Sequence, residues 1–434
     1  MKRWALFAVV AATAMITGLL GMAPVGAAGS GDIIPWALQA ENPSANATHE
    51  SVAQATTDAK NFNVIIAHPI AYSCPTGAPA GCTSDVAAMK AANPKLKILM
   101  YMNSTFGQND LSGPGPATDF QQCLGQANAF PASWYEYSSA TQTPANAVIN
   151  PQSGNCLMNP SNPLWIANRV AMCTSEAKTA GYSGCYLDDL GLGPFRSKYL
   201  NHAPFNPATN ALWQQPAWLT ATANLAKGVT SKAGTLVVYG NGLTDGPNYY
   251  NSKAPTSQIM SGVAGGIAEG WLRQATAPAT AYPTATAWKQ NVTMIGAVEA
   301  LNKPLLTLTK CWTCTTSTLQ GAWLQFSLAS FLMGTNGKSM FFYSPSQSVS
   351  RTSAFALYNT SLGTPSGAMT ASGAAFTRKF ASGIVVVNPG TASVVVSLGG
   401  TYHTVPGGCA NAATKTTETS LTMAKDTACI LTTT

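Results

Sequence analysis

The sequence predicts an α/β chain: a (β/α)8 barrel of the TIM type followed by a small C-terminal antiparallel β-sandwich. Three observations predict it. Eight short apolar runs recur, each followed by a loop and usually a helix-like segment, the pattern of parallel strands buried on both faces. These units fill about 285 residues, the usual size of such a barrel. Beyond Pro345 the helical texture stops, and from about Ser366 strands of period two take over. A doubly wound open sheet is the other architecture the alternation allows.

Residues 1–28 read as a signal peptide. Lys2 and Arg3 give a positive start, an apolar stretch follows from Leu6 to Leu20, and Gly26, Ala27 and Ala28 offer a small-residue cleavage site. No later segment has the roughly 18 uninterrupted apolar residues a membrane helix needs. The expectation is a secreted, extracellular, soluble chain with a barrel over 29–350 and a sandwich over 360–434.

In order, the first predicted strand is 63–67, running into His68-Pro69, and the second is 95–103 (KLKILMYMN). The third and weaker one is 155–159 (NCLMN). Asn162-Pro163 then begins a helix, Asn as cap and Pro at its first position, with Ile166, Val170, Cys173 and Ala177 at helical spacing. The fourth is 184–188 (GCYLD), the fifth 235–239 (TLVVY) before Gly240-Asn241-Gly242, and the sixth the glycine-rich 265–269 (GGIAE). The seventh is 305–309, the eighth 339–343, with a helix over 321–333 between them. In the C-terminal part, 383–388, 393–398 and 429–432 alternate as strands, separated by turns such as Asn388-Pro389-Gly390.

Composition narrows the function. Charged residues are 9% of the chain, and the net charge of +7 falls to +5 without Lys2 and Arg3. No Lys/Arg run forms a stripe for phosphates, so nucleic acid is not an expected partner. Neither is a membrane, and the chain is expected to act as a monomer. Ten cysteines fit an oxidising compartment. Their spacing favours neighbouring pairs: Cys74–Cys82, Cys123–Cys156, Cys173–Cys185, Cys311–Cys314 and Cys409–Cys429; sequence alone does not fix connectivity. Cys311-Trp-Thr-Cys314 also has the spacing of half a zinc site or a redox dithiol, but no second CxxC or His pair accompanies it. Four histidines in no ligand-like pair argue against a metal centre. No nucleophile elbow supports a serine hydrolase, and no organic cofactor is expected.

In a parallel barrel the active site lies at the carboxyl ends of the strands. The predicted strand ends carry His68, Asn103, Asp188-Asp189, Asn241, Glu269 and Tyr343. Only sixteen carboxylates exist in the chain, so three at the ends of strands four and six are informative. If Leu187 packs outward, Tyr186 and Asp188 point inward. Asp189 then supports Asp188 from the loop; the bland alternative is that both acids only shape a turn. Glu269 sits between small residues, and Trp271 is a candidate apolar face for a sugar ring; the alternative is a loop Glu bonded to an amide. Glycosidic cleavage needs such a pair, one acid to protonate the leaving oxygen and another to attack or activate water. Burial beside Trp271 is expected to keep Glu269 protonated. Asn241, His68, Asn103, Tyr186 and Tyr343 are further substrate-binding candidates, with turn or core roles as alternatives. Asn46, Asn103, Asn291 and Asn359 also lie in N-glycosylation patterns.

Asp188 in GCYLDDLG, Asn241 in VVYGNGL and Glu269 in AEGW resemble the strand-four, strand-five and strand-six signatures of glycoside-hydrolase-like TIM barrels. Those barrels are related to the α-galactosidase and endo-α-1,4-polygalactosaminidase superfamily. The similarity covers about 370 residues, with KLKILMYMN before the acids and KPLLTL after them. It implies a retaining glycosidase acting on a polysaccharide or oligosaccharide, with Asp188 as nucleophile and Glu269 as acid/base. One departure stands out: relatives carry Lys two residues before the strand-four Asp, where this chain has Tyr186. The alternative function is a carbohydrate-binding barrel without turnover.

Overall fold

A computed structural model describes residues 33–39, 49–74, 82–107, 123–124, 129–345, 355–409 and 416–434. The expected signal peptide and Asn46 lie outside the described residues.

Eight parallel strands form one sheet in sequence order: β1 Trp36–Leu38, β2 Val64–Ala67, β3 Lys97–Asn103, β4 Gly184–Asp188, β5 Val237–Asn241, β6 Gly265–Ala268, β7 Leu305–Lys310 and β8 Met340–Ser344. The Phe341 N–H donates to the Ile34 carbonyl at 2.9 Å, and Pro35 bridges Phe341, so β8 returns to β1. This is the expected (β/α)8 barrel. Its interior is filled by alternate residues of the strands, among them Trp36, Ile66, Leu99, Tyr186, Tyr239, Ile267, Leu308 and Phe342. The intervening residues, such as Ile98, Leu187, Val238 and Phe341, pack outward against the helices.

The helices follow from local signals. Asn162 caps Pro163–Ala171, its Oδ1 accepting from the Leu164 and Trp165 N–H groups at 2.9 and 3.3 Å. Thr316 does the same for Ser317–Gly334 through the Leu319 N–H. Gln215–Lys232 packs on β5 and Ala285–Ala300 on β7 from outside.

Two strand expectations are corrected. Residues 155–159 are not a barrel strand: Cys156, Leu157 and Met158 make isolated bridges with Ile149, Phe106 and Tyr135 in the excursion between β3 and the next helix. The first barrel strand is instead Trp36–Leu38. Three residues carry no readable period, and this strand exists because β2 and β8 supply its partners on either side. The runs expected first and second are therefore β2 and β3; β4 to β8 keep their places.

The C-terminal unit is the expected antiparallel domain, six strands in spatial order Thr370–Ser372, Ala375–Phe380, Gly383–Asn388, Thr427–Thr432, Val394–Cys409 and Thr417–Met423. Ile384, Val386, Val396 and Leu431 build its own core, while Val385, Val387 and Ile430 join the barrel's outer core beside Ser317–Gly334. Gly383–Asn388 is thus buried on both faces. Arg378 fastens the two units by donating to the Leu332, Met333 and Thr335 carbonyls at the end of that helix. All five neighbouring cysteine pairs are disulfides, Cys311–Cys314 included.

Candidate functional site

The carboxyl ends of β4 to β7 open on a cavity of about 210 Å³ lined in part by Asp189, Tyr199, Asn241, Glu269 and Lys310. Strand alternation delivers these groups. Tyr186 is inside the barrel and Leu187 outside, so Asp188 turns back inward. By the same count Tyr239 brings Asn241 inward, Ile267 brings Glu269, and Leu308 brings Lys310. The loops after β4 and β5 touch at glycines: a Cβ on Gly242 (φ 138°) would come within 2.5 Å of the Gly191 nitrogen.

Asp188 is held on all sides. Its Oδ2 accepts from the Tyr101 hydroxyl at 2.7 Å. Its Oδ1 accepts from the Asn241 Nδ2 at 2.8 Å, the Asp189 N–H at 2.9 Å and the Tyr186 hydroxyl at 3.2 Å. The Asn241 Nδ2 also donates to Glu269 Oε2 at 2.5 Å. The two oxygens sharing this amide therefore stand no more than about 5.3 Å apart, the 2.8 Å and 2.5 Å bonds laid end to end. The other Glu269 oxygen forms an ion pair with the Lys310 ammonium.

Asp189 turns the chain out of β4 with a left-handed φ of 59°. Asn103 Nδ2 donates to it at 3.0 Å and the Tyr199 hydroxyl at 3.4 Å. Asn103 also accepts from the Thr105 and Phe106 N–H groups. Its carbonyl takes the Arg169 guanidinium at 2.9 Å, which lies 4.0 Å over the Trp165 ring.

Charge crowding sets the protonation. Burial, then the negative charges of Asp189 and Glu269, push the Asp188 carboxyl up to about 7, although Tyr101 and Asn241 donate against that trend. Burial likewise raises Asp189, with Asn103, Tyr199 and Arg196 opposing.

Asp188, Asp189, Asn241 and Glu269 stand together at these strand ends, with Tyr186 and Asn103 directly behind them. Three candidates do not join them. Trp271 is fully buried in the outer core, edge-on to Phe331 and Phe341, its Nε1 donating to the Asn291 carbonyl. It offers no face to a sugar and does not shield Glu269, which meets Lys310 instead. Tyr343 points outward because Phe342 points inward, and its hydroxyl donates to the Gln320 carbonyl. His68 is buried after β2, its N–H bonded to Gln39 Oε1, and burial lowers its pKa to about 4. Asn103 and Asn291 are buried, so neither is an accessible glycan acceptor.

Lys310, Tyr199 and Arg196 also belong to the site and are not among the residues the sequence predicts for it. Lys310 is readable in the sequence: Leu306, Leu308 and Lys310 continue one alternating face past the predicted strand end at Thr309. Trp312 follows, partly exposed, its ring centroid 4.6 Å from the Lys310 Nζ.

A family model described as hypothetical glycosyl hydrolase family 15 matches residues 90–384. No curated protein sequence matches the chain. Among solved structures, the glycoside hydrolase domain of PelA from Pseudomonas aeruginosa is 12% identical, covering 74% of this chain and 97% of its own, at a TM-score of 0.43. Amy13B of Eubacterium rectale is 11% identical, covering 94% and 97%, at 0.47. An alpha-amylase from Malbranchea cinnamomea is 10% identical, covering 93% and 96%, at 0.46.

Proposed function

The chain belongs to hypothetical glycosyl hydrolase family 15, and from that premise we propose that it is a secreted glycosidase using Asp188 and Glu269 as its reacting carboxylates. The observation that carries this reading is the amide of Asn241, which spans both carboxylates and limits the gap between the two oxygens it bonds to about 5.3 Å. A retaining pair stands roughly 5–5.5 Å apart, whereas an inverting pair needs about 6.5–9.5 Å to admit water between them. The spacing therefore favours retention. One carboxylate attacks the anomeric carbon as the glycosidic bond breaks and the other gives its proton to the leaving oxygen. Water, deprotonated by the second group, then cleaves the ester and restores both. Asp189, Asn103 and Tyr186 position Asp188, and Asn241 positions both members of the pair.

The substrate is a polysaccharide or oligosaccharide, and export is supported by five disulfides in the described residues. No helix among the described residues is long and apolar enough to cross a membrane. The test is a screen of the purified chain against α- and β-linked glycans, galactosamine polymers included, with the anomer of the first product read by NMR. Asp188→Asn and Glu269→Gln, made separately, should each abolish hydrolysis while leaving the fold intact. Glycan binding without turnover in the unmutated chain would favour the binding-barrel alternative.

A further inference from the structure

We propose that Lys310 divides the charge between the two carboxylates: its ammonium fixes Glu269 as the ionised partner before substrate binds and leaves the pair's exchangeable proton with Asp188. The inference rests on the glycosidase reading for its purpose, since it concerns the same pair.

The geometry is one-sided. Lys310 ends β7 with its side chain only 7% exposed and its ammonium paired to Glu269 Oε1. Its Nζ lies 4.6 Å from the centroid of the Trp312 ring, a face that favours a cation. The Trp312 Nε1 donates to Ser344 Oγ at 2.8 Å, and the Cys311–Cys314 disulfide closes the loop that begins directly after Lys310. The ammonium is therefore held against a carboxylate and an aromatic face. Among the described residues no cation touches Asp188; Tyr101, Tyr186, Asn241 and the Asp189 N–H are neutral donors.

Other titratable groups also face Glu269, and the two carboxylates among them oppose its ionisation, so the ammonium decides the division. From β4 come Asp188 and Asp189, and from the loop beyond it Tyr199 and the exposed Arg196. From β3 comes Tyr101 through Asp188. A cation in contact lowers a carboxyl pKa by about 1–3 units, and adjacent carboxylates raise that of the group lacking one. Two-carboxylate chemistry requires one proton on the pair. Lys310 thus widens, on the acid side, the pH range in which the pair holds a single proton. This resting division is the reverse of the one implied by the resemblance to the α-galactosidase superfamily, where Glu269 carries the proton.

The test is a carboxyl NMR titration of the full chain labelled with 13C at glutamate. The chain has seven glutamates, and the resonance missing from Glu269→Gln identifies the one at issue. In Lys310→Met the Glu269 midpoint should rise by about 1–3 units, and in Lys310→Arg, which keeps the charge, it should stay near that of the unmutated chain. Where a hydrolysed glycan is found, the acid limb of kcat/KM should rise with it. A Glu269 midpoint unmoved in Lys310→Met overturns the inference; if that variant fails to fold, Lys310→Gln carries the same prediction. Because the titration needs no turnover, a chain that hydrolyses nothing but titrates as expected sinks the glycosidase reading and leaves the charge division standing.

Discussion

Asn241 reaches Asp188 across the β4–β5 boundary with its side-chain Nδ2 at 2.8 Å, and the same nitrogen holds Glu269. Asp188 Oδ1 and Glu269 Oε2 both accept from this nitrogen, which sets the amide's orientation. Replacing it should disturb both reacting groups at once. Asn241→Ala is expected to lower kcat/KM about 100-fold through misplacement. Asn241→Asp should cost more, because a like charge then stands between two carboxylates. Steady-state kinetics on the first glycan found to be cleaved will check the order.

Asp188 makes the chain less stable as it ionises. Its folded pKa, pushed up to about 7, lies above the unfolded value, so the folded state binds more protons between those two pH values. Stability from this group is complete below the unfolded pKa and falls as pH rises through about 7. Asp188→Asn, which cannot ionise, should therefore melt higher than the unmutated chain at pH 8, with the gain shrinking toward pH 4. Thermal melts across that range test the sign; an equal effect at both ends would contradict it.

Arg378 joins the sandwich to the barrel by donating to three carbonyls and to Asn336 Oδ1. Arg378→Ala strands those buried carbonyls and should cost about 2–4 kcal/mol in urea unfolding. Activity per folded molecule should not change, since Arg378 bonds the helix end that leads into the amino-terminal end of β8, whereas Glu269 follows the carboxyl end of β6.

Trp271 and Trp312 should separate cleanly. Trp271→Ala opens a cavity in the outer core and is expected to cost about 3–5 kcal/mol of stability with KM unchanged. Trp312→Ala removes a partly exposed ring from the Lys310 ammonium, so it should leave the melt nearly unchanged and move the acid limb of the pH profile.

How much was legible follows from range of interaction. Asn162-Pro163, the disulfide neighbours and the runs that became β3, β4 and β8 were readable because capping, short loops and apolar alternation act within a few residues. The same local count misplaced Tyr343: taking every strand-end residue as inward ignored that Phe342 already occupied the interior. Trp271 was assigned to the cleft from its nearness to Glu269, yet two residues past a strand end the loop had turned it into the helix layer. Residues 155–159 resembled a strand in composition, but their partners lie in the same excursion rather than in the barrel.

By itself the sequence determined the barrel and sandwich and the placing of Asp188, Asn241 and Glu269 at successive strand ends, and it only favoured the neighbouring cysteine pairs, because strand alternation and parallel order are properties of local pattern. Tertiary structure alone decided that Trp36–Leu38 is a strand, that Trp271 leaves the cleft, and that Lys310 rather than an aromatic ring faces Glu269. Those outcomes depend on which element fills the space opposite, and contacts such as Glu269 with Lys310 join residues forty-one positions apart.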